Sequence, residues 1–168
     1  LNSDYPEAHF NLGGVQQDLE QSHEAILSYQ RAITIKPNYP EALNNLGGVF
    51  NKLLQFSDAI ESYKQALRVK PTYVEAHFAL ALTYQDTGQL NEAFEHFKKT
   101  TELKPNFAEA HNNLGKILIS TGNFGSAINY FNNAIELLPN FYEAHNNLGT
   151  ALQGLGQLDG AVKSYQNA

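Results

Sequence analysis

Residues 105–139 read PNFAEAHNNLGKILISTGNFGSAINYFNNAIELLP, and this stretch decides the fold because its pattern recurs along the chain. Its two outer prolines belong to a series with a spacing of 34 residues, namely Pro37, Pro71, Pro105 and Pro139. A Glu-Ala pair follows each proline, and a leucine comes five positions after each glutamate. A fixed period of about 20 to 50 residues is the signature of stacked repeats, so we predict a repeat protein.

Each repetition contains two helical patterns with a turn between them. The first half, which we call helix A, carries alanine, leucine and glycine at helical spacing, as at Ala110, Leu114 and Gly115. The second half, helix B, carries an apolar stripe with the spacing i, i+4, i+7, i+8. In the first repeat this stripe is formed by Ala25, Tyr29, Ala32 and Ile33. The turn glycine, for example Gly122, ends helix A, and the proline that follows helix B ends the second helix.

We therefore predict an all-α fold, a right-handed superhelix of antiparallel helix pairs with a 34-residue period. The predicted repeats occupy residues 6–39, 40–73, 74–107, 108–141 and, in truncated form, 142–168, and residues 1–5 match the tail of a preceding repeat. Glu20 and Leu54 stand where later repeats have the turn glycine. We expect the helix A glycines, such as Gly13, to face the helix B alanines, such as Ala25, and the helix B aromatics to fill the seam between repeats.

Composition and charge narrow the classes of partner. The chain has 17 acidic and 11 basic residues, and its net charge of -6 argues against nucleic acid and anionic lipid as partners. It lacks both a signal peptide pattern and an apolar run long enough to insert into a membrane. We expect a cytoplasmic protein, while the amino-acid content leaves a reducing and an oxidising compartment both open. Cysteine is absent, which excludes disulfides. Methionine is absent even at position 1, which predicts a fragment of a longer chain.

The sequence resembles the tetratricopeptide repeat family over essentially its whole length. In the fourth repeat the resemblance rests on Ala110, Asn113, Leu114, Gly115, Gly122, Phe124, Ala127, Phe131, Ala134 and Pro139. The closest likeness is to the arrays of O-GlcNAc transferase, whose Ala-His-x-Asn-Leu blocks look like residues 110–114 and 144–148. The resemblance implies that helix A lines a concave groove and that its asparagines hold the backbone of an extended peptide, without transferase activity in this chain.

The candidate peptide-binding residues all lie on the helix A face that points away from the predicted core. They are Asn11, Asn44, Asn45, Phe78, Ala79, Leu82, Asn112, Asn113, Lys116, Asn146 and Asn147. A carboxamide both donates and accepts hydrogen bonds, so a ladder of asparagines can pair with peptide N–H and C=O groups irrespective of side chains. The alternative is that these asparagines bond between neighbouring repeats or face water.

The third repeat interrupts the asparagine ladder with Phe78, Ala79 and Leu82. We expect this apolar spot to accept a hydrophobic side chain of the ligand. Packing of Phe78 on the adjoining repeat is the competing interpretation. The lysines and arginines with which some tetratricopeptide proteins clamp a terminal carboxylate are absent from the corresponding positions, two of which are Asn44 and Gly48.

Catalytic and metal chemistry are not predicted. The histidines at one repeat position, His9, His77, His111 and His145, are expected about 10 Å apart from helix packing, too far to share one ion. No nucleophile motif or phosphate loop occurs, so we predict neither enzyme activity nor a cofactor. Two alternatives remain beside peptide binding. One is self-association through Leu152, Leu155, Val162 and Tyr165 at the uncapped end, and the other is a targeting arm of a larger transferase.

Overall fold

A computed structural model describes residues 5–168, and these residues form ten α-helices and no β-strand. The helices are α1 (Pro6–Asp18), α2 (Ser22–Ile35), α3 (Pro40–Lys52), α4 (Phe56–Val69), α5 (Val74–Asp86), α6 (Leu90–Leu103), α7 (Ala108–Ser120), α8 (Phe124–Leu137), α9 (Tyr142–Gly154) and α10 (Leu158–Gln166). The predicted all-α class is confirmed. Apart from Tyr5, the predicted tail of a preceding repeat lies outside the described residues.

The chain separates into two compact units. Unit 1 ends at Gln89 and contains α1 to α5, and unit 2 comprises Leu90–Ala168 with α6 to α10. Within each unit, every helix packs against the next one along the chain, and α1, α3 and α5 also contact one another in sequence, as α7 contacts α9. The odd-numbered helices are the predicted helices A, and the even-numbered helices are the predicted helices B.

Local sequence explains where the helices begin and end. Pro6 and Pro40 occupy the first turn of α1 and α3, where the missing N–H of proline is not needed for a helical hydrogen bond. The turns within the helix pairs place one residue at positive φ, which is 76° at Gly88 and 61° and 59° at Glu20 and Leu54. A side chain in this left-handed conformation costs roughly 1 to 2 kcal/mol. The first two turns therefore hold backbone strain that glycine removes in the later ones.

The packing of helix A on helix B differs from the prediction. A Cβ atom built on Gly13 would lie 2.8 Å from Cε1 of Tyr29, and one built on Gly115 would lie 2.5 Å from Cε1 of Phe131. The aromatic ring of their own repeat is thus the nearest neighbour of these glycines, closer than the helix B alanine assigned to them from the sequence. The reason is size, because the ring of a buried aromatic spans the interhelical gap and requires a residue without a side chain opposite it.

Two polar contacts recur at the joints before helix A. The ring nitrogen Nε2 of His77, His111 and His145 lies 3.0, 2.9 and 2.9 Å from the carbonyl oxygen of Pro71, Pro105 and Pro139, respectively. Because a carbonyl only accepts, each imidazole carries its proton on Nε2 in this contact. The histidines therefore fix the loop that precedes helix A.

The second recurring contact is a cation over an aromatic ring. The ammonium nitrogens of Lys36 and Lys70 lie 4.3 and 4.5 Å from the ring centres of Tyr39 and Tyr73, three residues later. Lys104 lies 4.9 Å from the ring centre of Phe107 in the same way. Each such contact contributes about 0.5 to 1 kcal/mol at an exposed site. These lysines thus support the loops from the solvent side.

No helix in residues 5–168 combines the length and the apolar character needed to cross a membrane.

Candidate functional site

Each of the two units carries its own candidate face. The unit 1 face consists of the non-core positions of its three helices A, namely Asn11 and Gly14 on α1, Asn44, Asn45 and Gly48 on α3, and Phe78, Ala79 and Leu82 on α5. The unit 2 face consists of Asn112, Asn113 and Lys116 on α7 and Asn146, Asn147 and Thr150 on α9. Helical spacing places the members from one helix on the same side, one turn apart.

Two asparagines of the unit 1 face differ in their surroundings. Asn11 is exposed to solvent. Asn45 is half-buried, and its Nδ2 lies 3.5 Å from the hydroxyl oxygen of Tyr29 in the preceding helix B. The Tyr29 hydroxyl in turn donates to Oε1 of Gln17 at 3.1 Å. Asn45 thus completes a polar chain between α1, α2 and α3, as the inter-repeat alternative predicted.

The equivalent row of hydrogen bonds is incomplete one repeat later, at Tyr63. Ala79 takes the place of Asn45 and has no polar side-chain atom, and Asn51 takes the place of Gln17. The Oδ1 of Asn51 accepts from Oγ1 of Thr83 at 3.1 Å. Burial raises the pKa of the Tyr63 hydroxyl to about 12. The Tyr63 hydroxyl is therefore protonated at neutral pH and available as a donor.

The apolar spot predicted from the sequence lies on α5. Phe78, Ala79 and Leu82 are half-buried, and Leu82 stands at the position that Gly48 occupies on α3. Phe10, at the equivalent position to Phe78 on α1, packs its ring centre 5.1 Å from that of Tyr39. On α3 this position holds Asn44, whose buried Oδ1 has no hydrogen-bond partner among the described residues. In the repeat register, the apolar spot of unit 1 is therefore next to the polar residue Asn44 and to Gly48, which has no side chain.

The unit 2 face corrects part of the predicted ladder. Asn112 is only 2% exposed, and its Oδ1 accepts from Nδ2 of Asn147 at 3.0 Å, which joins α7 to α9. Asn113 is 8% exposed, and its Nδ2 donates to the backbone oxygen of Glu109 at 2.9 Å. The prediction that Asn112 and Asn113 face a ligand is wrong, because both side chains are buried and engaged in bonds within the protein.

The remaining members of the unit 2 face are accessible. Asn146 is exposed and Asn147 is half-buried. The ammonium nitrogen of Lys116 lies 3.1 Å from a carboxylate oxygen of Glu143, and both side chains are substantially exposed. An exposed ion pair of this kind contributes at most about 1 kcal/mol. Lys116 therefore keeps enough freedom to turn towards a ligand.

Titratable clusters do not add a chemical site. Within the described part of the chain, no group of three or more histidine, aspartate or glutamate side chains is arranged to hold a metal ion. The glutamates that begin helix A pair with lysines, as Glu7 does with Lys36 at 3.4 Å and Glu41 with Lys70 at 4.0 Å. In the first turn of helix A a negative charge also complements the helix dipole, and the lysine 29 positions away adds an ion pair that the sequence period does not reveal.

The repeats match three family models. A model described as TPR repeat matches residues 18–53, 55–88 and 84–122, and two models described as tetratricopeptide repeat match residues 108–141 and 130–163. The chain belongs to the tetratricopeptide repeat family. The tetratricopeptide helix pairs also identify the fold as a solenoid of this type, as predicted. No curated protein gives a significant match.

Solved structures with the same fold include several of MamA. A crystal structure of the MamA protein is 26% identical to the chain, with a TM-score of 0.89 over 96% of this chain and 88% of that one. MamA from Desulfovibrio magneticus RS-1 is 17% identical, with a TM-score of 0.88 over 96% and 91% of the two chains. YrrB, described as a TPR protein with an unusual peptide-binding site, is 19% identical, with a TM-score of 0.85 over 99% and 86%.

Proposed function

We propose that this tetratricopeptide chain is a non-enzymatic scaffold that binds an extended peptide segment of a partner protein along the unit 1 face. The observation that carries the proposal is the half-buried apolar spot of Phe78, Ala79 and Leu82 beside the asparagines of α1 and α3. An extended segment presents backbone groups to amides and alternate side chains to an apolar surface. Both kinds of contact are therefore offered within one unit.

Magnitudes favour a combined mode of recognition over a ladder of amides alone. Asn45 is held by Tyr29, so the polar contacts of unit 1 rest on Asn11 and Asn44. If each contributes about 0.5 to 1.5 kcal/mol, their sum is roughly 1 to 3 kcal/mol. A micromolar dissociation constant requires about 8 kcal/mol. Burial of one large apolar side chain adds about 1.5 to 3 kcal/mol. The apolar spot is thus needed for useful affinity within unit 1, and Lys116, Asn146 and Asn147 offer separate polar contacts within unit 2.

The description of YrrB as a TPR protein with a peptide-binding site is in keeping with this mode, although at 19% identity that likeness concerns the fold. The likeness to O-GlcNAc transferase arrays stays a prediction, and so do the cytoplasmic location and the division into one array of five repeats. A targeting arm of a larger transferase would use the same face. The proposal assigns no catalytic step and no cofactor to the chain.

The Leu82→Asp variant tests this proposal. A phage-displayed library of random dodecapeptides is panned on the full chain, and the tightest peptide is synthesised with a fluorophore for anisotropy titration. We expect Leu82→Asp to weaken binding by about a hundredfold, because an unpaired carboxylate replaces the apolar contact. The matched control is Leu137→Asp on α8, an exposed leucine of helix B outside both faces, which should bind as the unchanged chain does.

Three results contradict the proposal. The first is unchanged binding by Leu82→Asp, and the second is an equal loss in Leu137→Asp. The third is the absence of any peptide with a dissociation constant below about 1 mM. Circular dichroism of both variants must first show the helix content of the unchanged chain, so that loss of folding does not imitate loss of binding.

Self-association is a second candidate function, supported by unequal burial at equivalent repeat positions. Val15 on α1 is 56% exposed, whereas Val49 on α3 is fully buried. Tyr165 on α10 is 40% exposed, whereas Phe131 on α8 is fully buried. Inside each unit, a helix A covers the preceding helix B. The face of α1 in one copy is therefore chemically suited to the face of α10 in another, with Leu152, Leu155 and Val162 beside it.

Sedimentation velocity tests self-association over a concentration series from low micromolar to millimolar. We expect the mean mass to rise with concentration in the unchanged chain and to stay that of a monomer in Val162→Lys, because a charge would be buried at the contact. Asn132→Lys, on an exposed position of α8, is the control and should associate normally. A monomer at every concentration in the unchanged chain rules out this candidate.

A further inference from the structure

Tyr63 lies in α4 in the same pose as Tyr29 in α2. A Cβ atom on Gly47 would lie 2.7 Å from Cε1 of Tyr63, and one on Gly13 would lie 2.8 Å from Cε1 of Tyr29. The hydroxyl oxygen of each tyrosine lies 3.9 Å from the Cβ position of the next glycine, which is Gly48 for Tyr63. The two hydroxyls thus reach equivalent places on the helix A face.

Only one of these hydroxyls is satisfied within the protein. Tyr29 donates to Gln17 and lies within reach of Asn45. Tyr63 is 3% exposed, and its hydroxyl has no hydrogen-bond partner within residues 5–168. The cause is in the sequence, because Ala79 replaces the asparagine and Asn51 bonds to Thr83 instead. The Tyr63 hydroxyl oxygen is not among the fully buried polar atoms without a partner in the described residues, so it reaches the surface, where an acceptor from outside can bond to it.

The surroundings of the hydroxyl leave room for such an acceptor. Gly48 and Ala79 are the residues of the unit 1 face next to Tyr63 in the repeat register, and neither has a long side chain. Asn44 lies one turn before Gly48 on the same side of α3, and its Oδ1 is also without a partner. A peptide unit carries a C=O acceptor and an N–H donor, which match a hydroxyl donor and a carboxamide that can rotate about its last torsion.

We propose that the Tyr63 hydroxyl donates a hydrogen bond to a backbone carbonyl of an extended peptide, while the Asn44 carboxamide pairs with an N–H of the same segment. The neighbouring apolar side chain of that peptide rests on Ala79 and Leu82. This inference depends on the proposed peptide-binding function and assigns its central polar contact to a helix B residue, outside the asparagine ladder. The expected ligand is an extended peptide segment. In it, a large apolar residue stands next to a peptide unit whose carbonyl oxygen makes no other hydrogen bond.

The pair Tyr63→Phe and Tyr29→Phe tests the inference with the fluorescent peptide selected from the dodecapeptide library. Tyr63→Phe should weaken binding about tenfold, the effect of one hydrogen bond, and leave the thermal midpoint unchanged, since the hydroxyl has no partner in the free protein. Tyr29→Phe should show the opposite pattern, with normal binding and a lower midpoint, because it breaks the contacts to Gln17 and Asn45.

Ala79→Asn provides a second variant that does not remove the hydroxyl. It restores the arrangement of Asn45 and Tyr29, so we expect a higher thermal midpoint and weaker peptide binding. Normal binding by both Tyr63→Phe and Ala79→Asn overturns the inference and leaves the proposed function in place, provided that Leu82→Asp still loses binding. Failure to select any binding peptide overturns the proposed function and this inference together.

Discussion

Gly115→Ala is expected to destabilise the protein by about 3 kcal/mol, the upper part of the range for overpacking a buried site. The added Cβ atom would lie 2.5 Å from Cε1 and 2.7 Å from Cζ of Phe131. The Phe131 ring is fully buried and cannot move aside without displacing its neighbours Ala127 and Ala151. Denaturant unfolding followed by circular dichroism measures the change as a lower midpoint.

Gly125→Ala is the matched control for this prediction. Gly125 is also helical, in the first turn of α8, but a Cβ atom added there meets no other atom within 4 Å. Alanine favours the helix by up to about 1 kcal/mol over glycine, so this variant should be as stable as the unchanged chain or slightly more stable. Equal losses in the two variants would show that the contact with Phe131 does not determine the effect at Gly115.

Leu114→Ala should cost about 3 kcal/mol of unfolding free energy, because the leucine is fully buried and its removal leaves a cavity. Leu12 lies at the same position of the first repeat and is 47% exposed. The change Leu12→Ala removes the same atoms from a partly solvated site and should cost less than about 1 kcal/mol. Denaturant unfolding of both variants gives the comparison.

The difference between the two leucine variants also reports on association. If two copies stack α1 on α10, Leu12 becomes buried in the oligomer, and its replacement costs more as protein concentration rises. If Leu12→Ala loses less than about 1 kcal/mol of unfolding free energy at every protein concentration, while Leu114→Ala loses much more, then no second copy covers Leu12. A small cost at Leu114 would contradict the packing described for α7.

The sequence period predicts the helices well because it reports on local geometry. The alternation of apolar positions and the placement of Gly88 and Pro71 depend only on residues within one helix pair. Which side chains meet where two helices pack depends on the tilt of the helices and the length of the side chains. The spacing of residues in the sequence carries no information about either. This is why Gly13 was assigned to Ala25, although the longer ring of Tyr29 reaches it first.

The candidate site was predicted in part for the same reason. The columns of residues at 34-residue spacing place the candidate residues on the helices A, where Asn11 and Asn146 are exposed. They do not reveal that Asn112 and Asn147 bond to each other, because that contact depends on the distance between α7 and α9. The unpaired Tyr63 hydroxyl did leave a signal, since Ala79 interrupts the asparagine column beside it. An interruption of a repeated polar contact was therefore as informative as the contact itself.

The left-handed conformations of Glu20 and Leu54 have a dynamic consequence. Their strain lowers the free energy of local opening for the hairpins α1–α2 and α3–α4, and amide hydrogens there should exchange with solvent sooner than in the glycine-closed hairpin α7–α8. Both strained hairpins belong to unit 1, which also carries the apolar spot and Tyr63. We therefore expect these two corners to open transiently more often than the corner between α7 and α8, while the buried aromatic rings of the helix pairs stay packed.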